Sequence, residues 1–125
     1  MATSPTLQKP GMVTALSILT LISGIGNILW GLSLTFSIIV GTLGLGIICA
    51  PITILPVVLG IFEIIYGAKL MANPPNPIQP SKTLAILEIV AVIFFNFFSV
   101  VVGILALVFY NDQEVMAYFE EINQA

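Results

Sequence analysis

From Gly11 to Phe62 the chain carries no charged residue, an unbroken run of 52 positions, whereas about 20 apolar residues suffice to cross the hydrocarbon core of a bilayer. The run therefore holds more than one span. Gly41, Gly44 and Gly46 cluster near its middle in GTLGLG, where glycine lets a helix end and the chain turn. A turn there predicts helices over about 12–38 and 45–71, each roughly 27 residues and about 40 Å long at 1.5 Å per residue. Pro51 and Pro56 fall early in the second helix and predict a kink or a broken entry. Residues 72–81, ANPPNPIQPS, hold four prolines and read as a loop. A third apolar stretch runs from Thr83 to Tyr110, interrupted by Glu88 and Asn96, and predicts a third long helix over 83–110. Four spans, with cuts near Ser33 and Pro51, are the alternative, and they leave almost no connecting chain.

The two ends have a different pattern. Residues 1–10 form a short polar tail, and 111–125, NDQEVMAYFEEINQA, place Val115, Met116, Phe119 and Ile122 on one helical face with the glutamates elsewhere. Asn111 and Glu114 have the spacing of a capping box. The expected fold is thus all-α: a polytopic transmembrane bundle over 11–110 followed by a short, acidic, amphipathic helix over 111–125. An acidic helix gains nothing from anionic lipid, so its apolar face is a candidate dock for a partner protein or for the chain's own bundle.

Composition narrows the chemistry. Hydrophobic residues make up 58% of the 125 positions and charged residues 7%, against about 25% charged in a soluble domain. The mean hydropathy is +1.14. Three basic residues cannot supply a nucleic-acid footprint. With no histidine and with Cys49 as the single thiol, no catalytic triad, disulfide, thiolate metal cage or axial imidazole can be built. Cys49 reads as a small buried hydrophobe. No enzyme activity, no metal and no cofactor is expected, though a bound lipid fits the composition. Under three spans Lys9, Lys69 and Lys82 fall on one side, which predicts a cytoplasmic N-terminus and an external C-terminus in the plasma membrane.

Two carboxylates interrupt the apolar segments. Glu63 precedes Lys69 by six residues and Glu88 follows Lys82 by six, so both lie about 9 Å from the lysine level on helices joined by a short loop. Facing each other in lipid, they would have to share a proton, bind a cation, or accept hydrogen bonds from Tyr66 or Asn96. Glu63 and Glu88 are therefore the candidate proton or cation site. Asn27 and Asn96 read as amides bonding between helices. Small residues at four-residue spacing, Ser23–Asn27–Gly31 and Thr20–Gly24, with Ser99, Gly103 and Ala106, predict close helix approach within the bundle or between copies. Phe94, Phe95, Phe97 and Phe98 surround Asn96 and cover every side of a helix, so some must face lipid or a partner.

The segments IFEIIYGAKL, ANPPNPIQPSKT and VFYNDQEVMAYF resemble a group of small multi-pass membrane proteins of bacteria, over most of residues 9–119. The resemblance implies a bacterial plasma-membrane protein and brings no functional residue with it. The expected function is that of an accessory membrane subunit, packed against other membrane subunits or copies of itself. The alternative is a minimal proton or cation conductor using Glu63 and Glu88.

Overall fold

The computed structural model describes residues 8–73 and 75–124, and every regular element among them is helical. Helix α1 runs Gly11–Gly41; a 3-10 turn, Leu45–Cys49, leads into the short helix α2, Ala50–Thr53, and then α3, Leu55–Met71. Helix α4 is Lys82–Val90, continued by a 3-10 turn over Ala91–Phe94; α5 is Phe97–Tyr110 and α6 is Gln113–Gln124. Two segments, Gly11–Gly41 and Leu45–Met71, are long and apolar enough to cross a membrane, and a third qualifies if α5 and α6, bent by 77°, are counted together. Burial is inverted relative to a soluble protein. Ser17, Thr20, Ser23, Asn27, Glu63, Glu88 and Ser99 are buried while Ile22, Leu29, Phe36, Ile61, Phe62 and Ile93 are exposed.

The first turn forms at the glycine cluster. Thr42 caps α1, its hydroxyl donating to Ile38 O at 2.6 Å, and Leu43 and Gly44 both take the left-handed conformation (φ 54° and 92°) that reverses the chain. Pro56 has no N–H to donate, so the helix breaks at Ile54 and restarts. Helices α1 and α3 then run antiparallel at very close range. A Cβ added at Gly24 would lie 2.7 Å from Gly60 O, and one at Gly31 would lie 2.7 Å from a Val57 methyl. Only backbone without side chains can approach so closely. Gly67 meets Ser17 O and Leu21 one end further on, and Thr35 Oγ1 donates to Thr53 Oγ1 at 2.9 Å at the other end.

The third apolar stretch departs from expectation. Residues 83–110 form two antiparallel helices, α4 and α5, folded back on each other, instead of one long helix. A Cβ on Gly103 would lie 2.5 Å from Ala85 O and 2.9 Å from Glu88 Cβ, whereas a continuous helix would separate residues 85 and 103 by about 27 Å. The reversal is built without glycine or proline. Phe95 adopts φ 59°; its N–H donates to Val92 O at 2.9 Å and the Asn96 N–H to Ala91 O at 3.4 Å, the paired bonds of a Schellman C-cap. Asn96 then caps α5, its Oδ1 accepting from Ser99 N at 3.3 Å. Trp30 of α1 holds the tip, with its indole N–H donating to Phe94 O at 2.7 Å.

This hairpin brings the chain back to the end where α1 begins, so the expectation of termini on opposite sides gives way to both described ends at one end of the bundle. There α6 lies across the helix ends. Its cap is Asp112, whose Oδ1 accepts from Glu114 N at 2.9 Å, in place of the expected Asn111. Val115, Tyr118, Phe119 and Ile122 pack on Val13, Leu16 and Leu70, and Asn123 donates to Ile78 O at 3.0 Å. Of the expected partner dock, Val115, Phe119 and Ile122 are thus covered by the chain's own core and Met116 alone stays exposed. Lys9 Nζ donates to Leu70 O at 2.7 Å and to Ala72 O at 3.2 Å, capping the last turn of α3. Cys49, expected to be buried, is exposed.

Candidate proton or cation site

Four of the helices contribute polar side chains to one buried cluster beside the middle of α1. Glu63 projects from α3 between Gly60 and Gly67, where the backbones are close enough to exclude water, and it is fully buried. One turn apart on α1, Ser23 and Asn27 meet it: Ser23 Oγ donates to Oε1 at 2.7 Å and Asn27 Nδ2 donates to Oε2 at 2.6 Å. Both oxygens of the Glu63 carboxyl are thus bonded from α1. Asn27 Nδ2 also donates to Ser99 Oγ at 3.2 Å, and Asn96 Nδ2 donates to Asn27 Oδ1. The hairpin tip is therefore tied to the carboxylate through one asparagine.

Glu88 approaches from α4. It is 2% exposed, its carboxyl lies within hydrogen-bonding reach of Glu63, and its Oε1 is buried with no partner among the described residues. Two carboxylates offer only acceptors, so a bond between them needs a proton on one of the two, and without it a cation must stand between them. Lysine is not the counter-ion, because Lys9 caps α3 and Lys69 and Lys82 are exposed. Tyr66, one turn from Glu63, does not donate to it. Its hydroxyl donates to Gln79 O at 2.9 Å, and it accepts from Ser81 N at 3.0 Å and from Tyr110 OH at 3.2 Å.

The structure thus brings all four polar candidates, Glu63, Glu88, Asn27 and Asn96, into one neighbourhood. It adds Ser23 and Ser99, which the spacing pattern presents as packing residues. For Ser23 the useful signal is its place one turn before Asn27, since two donors at that spacing on one face can grip both oxygens of a carboxylate. For Asn96 it is the Asn-x-x-Ser spacing of a helix N-cap. The oxygens at the pair are those of the two carboxyls and the Ser23 hydroxyl, with the amides supplying N–H donors, and such oxygens suit a proton or a hard cation. Among the described residues no three His, Cys, Asp or Glu side chains come together to hold a metal. No family model matches this chain, and no curated protein and no solved structure matches it.

Proposed function

We propose that the chain is a small multi-pass protein of the plasma membrane that binds a proton, or a monovalent cation in its place, between Glu63 and Glu88 and passes it toward the lysine-bearing face. The observation that carries this reading is the buried Glu88 carboxyl beside Glu63, with its Oε1 left without a partner among the described residues. Ionisable groups inside a membrane are costly and serve as functional sites by default. In this placement the three lysines mark the cytoplasmic side, α1 and the 45–71 segment cross, and the α4–α5 hairpin enters from the cytoplasmic side and ends near mid-bilayer. Irregular backbone is tolerated at that depth where it is buried in protein or lines a cavity, and half-helices ending there are how many transporters build their ion sites.

The chain then consists of two helix pairs. Within each pair, α1 with α3 and α4 with α5, the backbones meet closely at glycines, and Ser23 and Asn27 of α1 also donate to Glu63 of α3. Between the pairs, beside the apolar contact of Leu16 and Leu70 with Ala85 and Ala106, polar groups meet: Glu63 with Glu88, Asn27 with Asn96 and Ser99, Trp30 with Phe94 and Tyr66 with Tyr110. Loss of the bridging proton sets two negative charges against each other across that boundary, which favours opening it to water. The linked tyrosines Tyr66 and Tyr110 lie on the side of the pair nearer the loop at Gln79 and Ser81, the side toward which such an opening would release the proton. An accessory-subunit role draws less support, because the α6 face that would dock a partner is occupied and the role gives Glu88 no task.

Purified protein in liposomes with an internal pH dye and an imposed membrane potential tests the reading. Proton uptake above protein-free liposomes is expected, lost in both Glu63→Gln and Glu88→Gln. Folded wild type that carries neither protons nor sodium or potassium overturns it.

A further inference from the structure

We infer that the groove between α3 and α4 is a binding site for an anionic phospholipid of the cytoplasmic leaflet. The inference rests on the membrane placement above but not on the carboxyl pair. The groove has two parts. The inner part, about 240 Å³, is walled by side chains that include Leu59, Phe62, Leu87, Ala91 and Phe94, and it ends against Leu55 and Pro56. The outer part, about 440 Å³, is lined among others by Tyr66, Lys69, Ser81 and Thr83. Phe62 and Leu87 line both, so the two lie end to end along the helices.

Its length and polarity fit one lipid. Lys69 and Leu55 are 14 residues apart on a helical segment, about 21 Å, and half a bilayer including its headgroups is about 20–22 Å thick. The inner part is lined by apolar residues alone, as an acyl chain requires. The outer mouth presents one ammonium, three hydroxyl-bearing side chains and, among the described lining residues, no carboxylate. The N-terminus of α4 opens there as well and adds partial positive charge. A headgroup with a net negative charge satisfies this mouth, whereas a zwitterionic one brings its own cation against Lys69. The groove stops at mid-bilayer because α4 stops there, which gives the site a floor that a through-going helix would not provide.

The test is native mass spectrometry of full-length protein, stripped of lipid in detergent and then offered phosphatidylglycerol or phosphatidylcholine with matched chains. One phosphatidylglycerol per chain is expected to be retained, with phosphatidylcholine retained less. Lys69→Gln is expected to weaken the preference about fivefold, the effect of one basic residue at a lipid surface. Val90→Trp, which fills the inner part from an exposed position, is expected to abolish retention, while Val101→Trp, exposed on α5 outside the groove, leaves it intact. Equal retention of both lipids, or indifference to Lys69→Gln and Val90→Trp alike, overturns the inference. Retention surviving in Glu63→Gln protein that has lost proton flux supports the lipid site independently of the carboxyl pair. Retention failing while that flux persists rejects the lipid site alone.

Discussion

Asn27 of α1 and Asn96 at the start of α5 lie 69 residues apart in the chain and hydrogen-bond to each other, with Asn27 also donating to Glu63. A single amide thus joins the membrane-length helix pair, the buried carboxylate and the tip of the hairpin.

Asn27→Leu removes a donor from Glu63 and leaves the Asn96 amide without its acceptor. Unfolding in mixed micelles followed by circular dichroism is expected to show a loss of about 1–3 kcal/mol, the cost of leaving buried polar groups unpaired. The double variant with Asn96→Leu should cost less than the sum of the single changes, since the two act through one bond. Strict additivity would mean that the amides do not interact.

Glycine substitutions should separate sharply by position. Gly60→Ala places a Cβ against the Gly24 carbonyl oxygen and is expected to cost about 1–3 kcal/mol, as overpacking does. A Cβ on Gly26 of α1 meets nothing within 4 Å, so Gly26→Ala should be neutral or slightly stabilising. The same micelle unfolding measurement compares them.

Topology can be read by thiol labelling of membrane-embedded protein. Leu43 lies at the far turn and is exposed, while Gln8 and Glu120 belong to the opposite end of the bundle. In a Cys49→Ser background, a membrane-impermeant maleimide should reach Leu43→Cys from one side, and Gln8→Cys and Glu120→Cys from the other. Labelling of Gln8→Cys and Glu120→Cys from opposite sides would restore the three-span arrangement and reject the hairpin.

Phe95 sits at φ 59°, a conformation that costs a side-chain-bearing residue roughly 1–2 kcal/mol relative to glycine. It is also 74% exposed, so little packing is lost with its ring. Phe95→Gly should therefore keep the fold and raise resistance to denaturant, whereas Phe95→Val should lower it. Hydrogen exchange at the Asn96 and Ser99 amides would report the change locally.

Much of this was legible beforehand because it depends on local chemistry. An uncharged run too long for one span, a glycine cluster, Pro51 and Pro56, and the loop over 72–81 each act through backbone freedom or a missing N–H. Glu63 and Glu88 were brought to one level by helical rise alone. The hairpin was hidden for a physical reason. Twenty-eight apolar residues fit one tilted helix as well as two short ones, and FFNFF contains neither of the residues that usually mark a break. The turn is specified instead by tertiary partners, Asn27 and Trp30, that no local window contains. The same applies to Ser23, whose spacing shows that it faces another helix but not which group waits there. For α6, amphipathic periodicity indicated an apolar face that must be covered, and packing onto Val13, Leu16 and Leu70 supplied the cover from within the chain.

The return of α5 to its starting side has a consequence for how such a protein enters a bilayer. In the placement proposed above, the described segment that reaches the far side is the left-handed turn at Thr42–Gly44, and neither it nor the residues that follow as far as Phe62 carry a charge. With the lysine-bearing face cytoplasmic, as proposed, Lys9, Lys69, Lys82 and all the acidic groups of α6 would stay on the side where synthesis leaves them. Insertion therefore transfers no ionised side chain through the hydrocarbon, and the hairpin can fold in afterwards from the near side, guided to depth by the amides and the indole already waiting along α1.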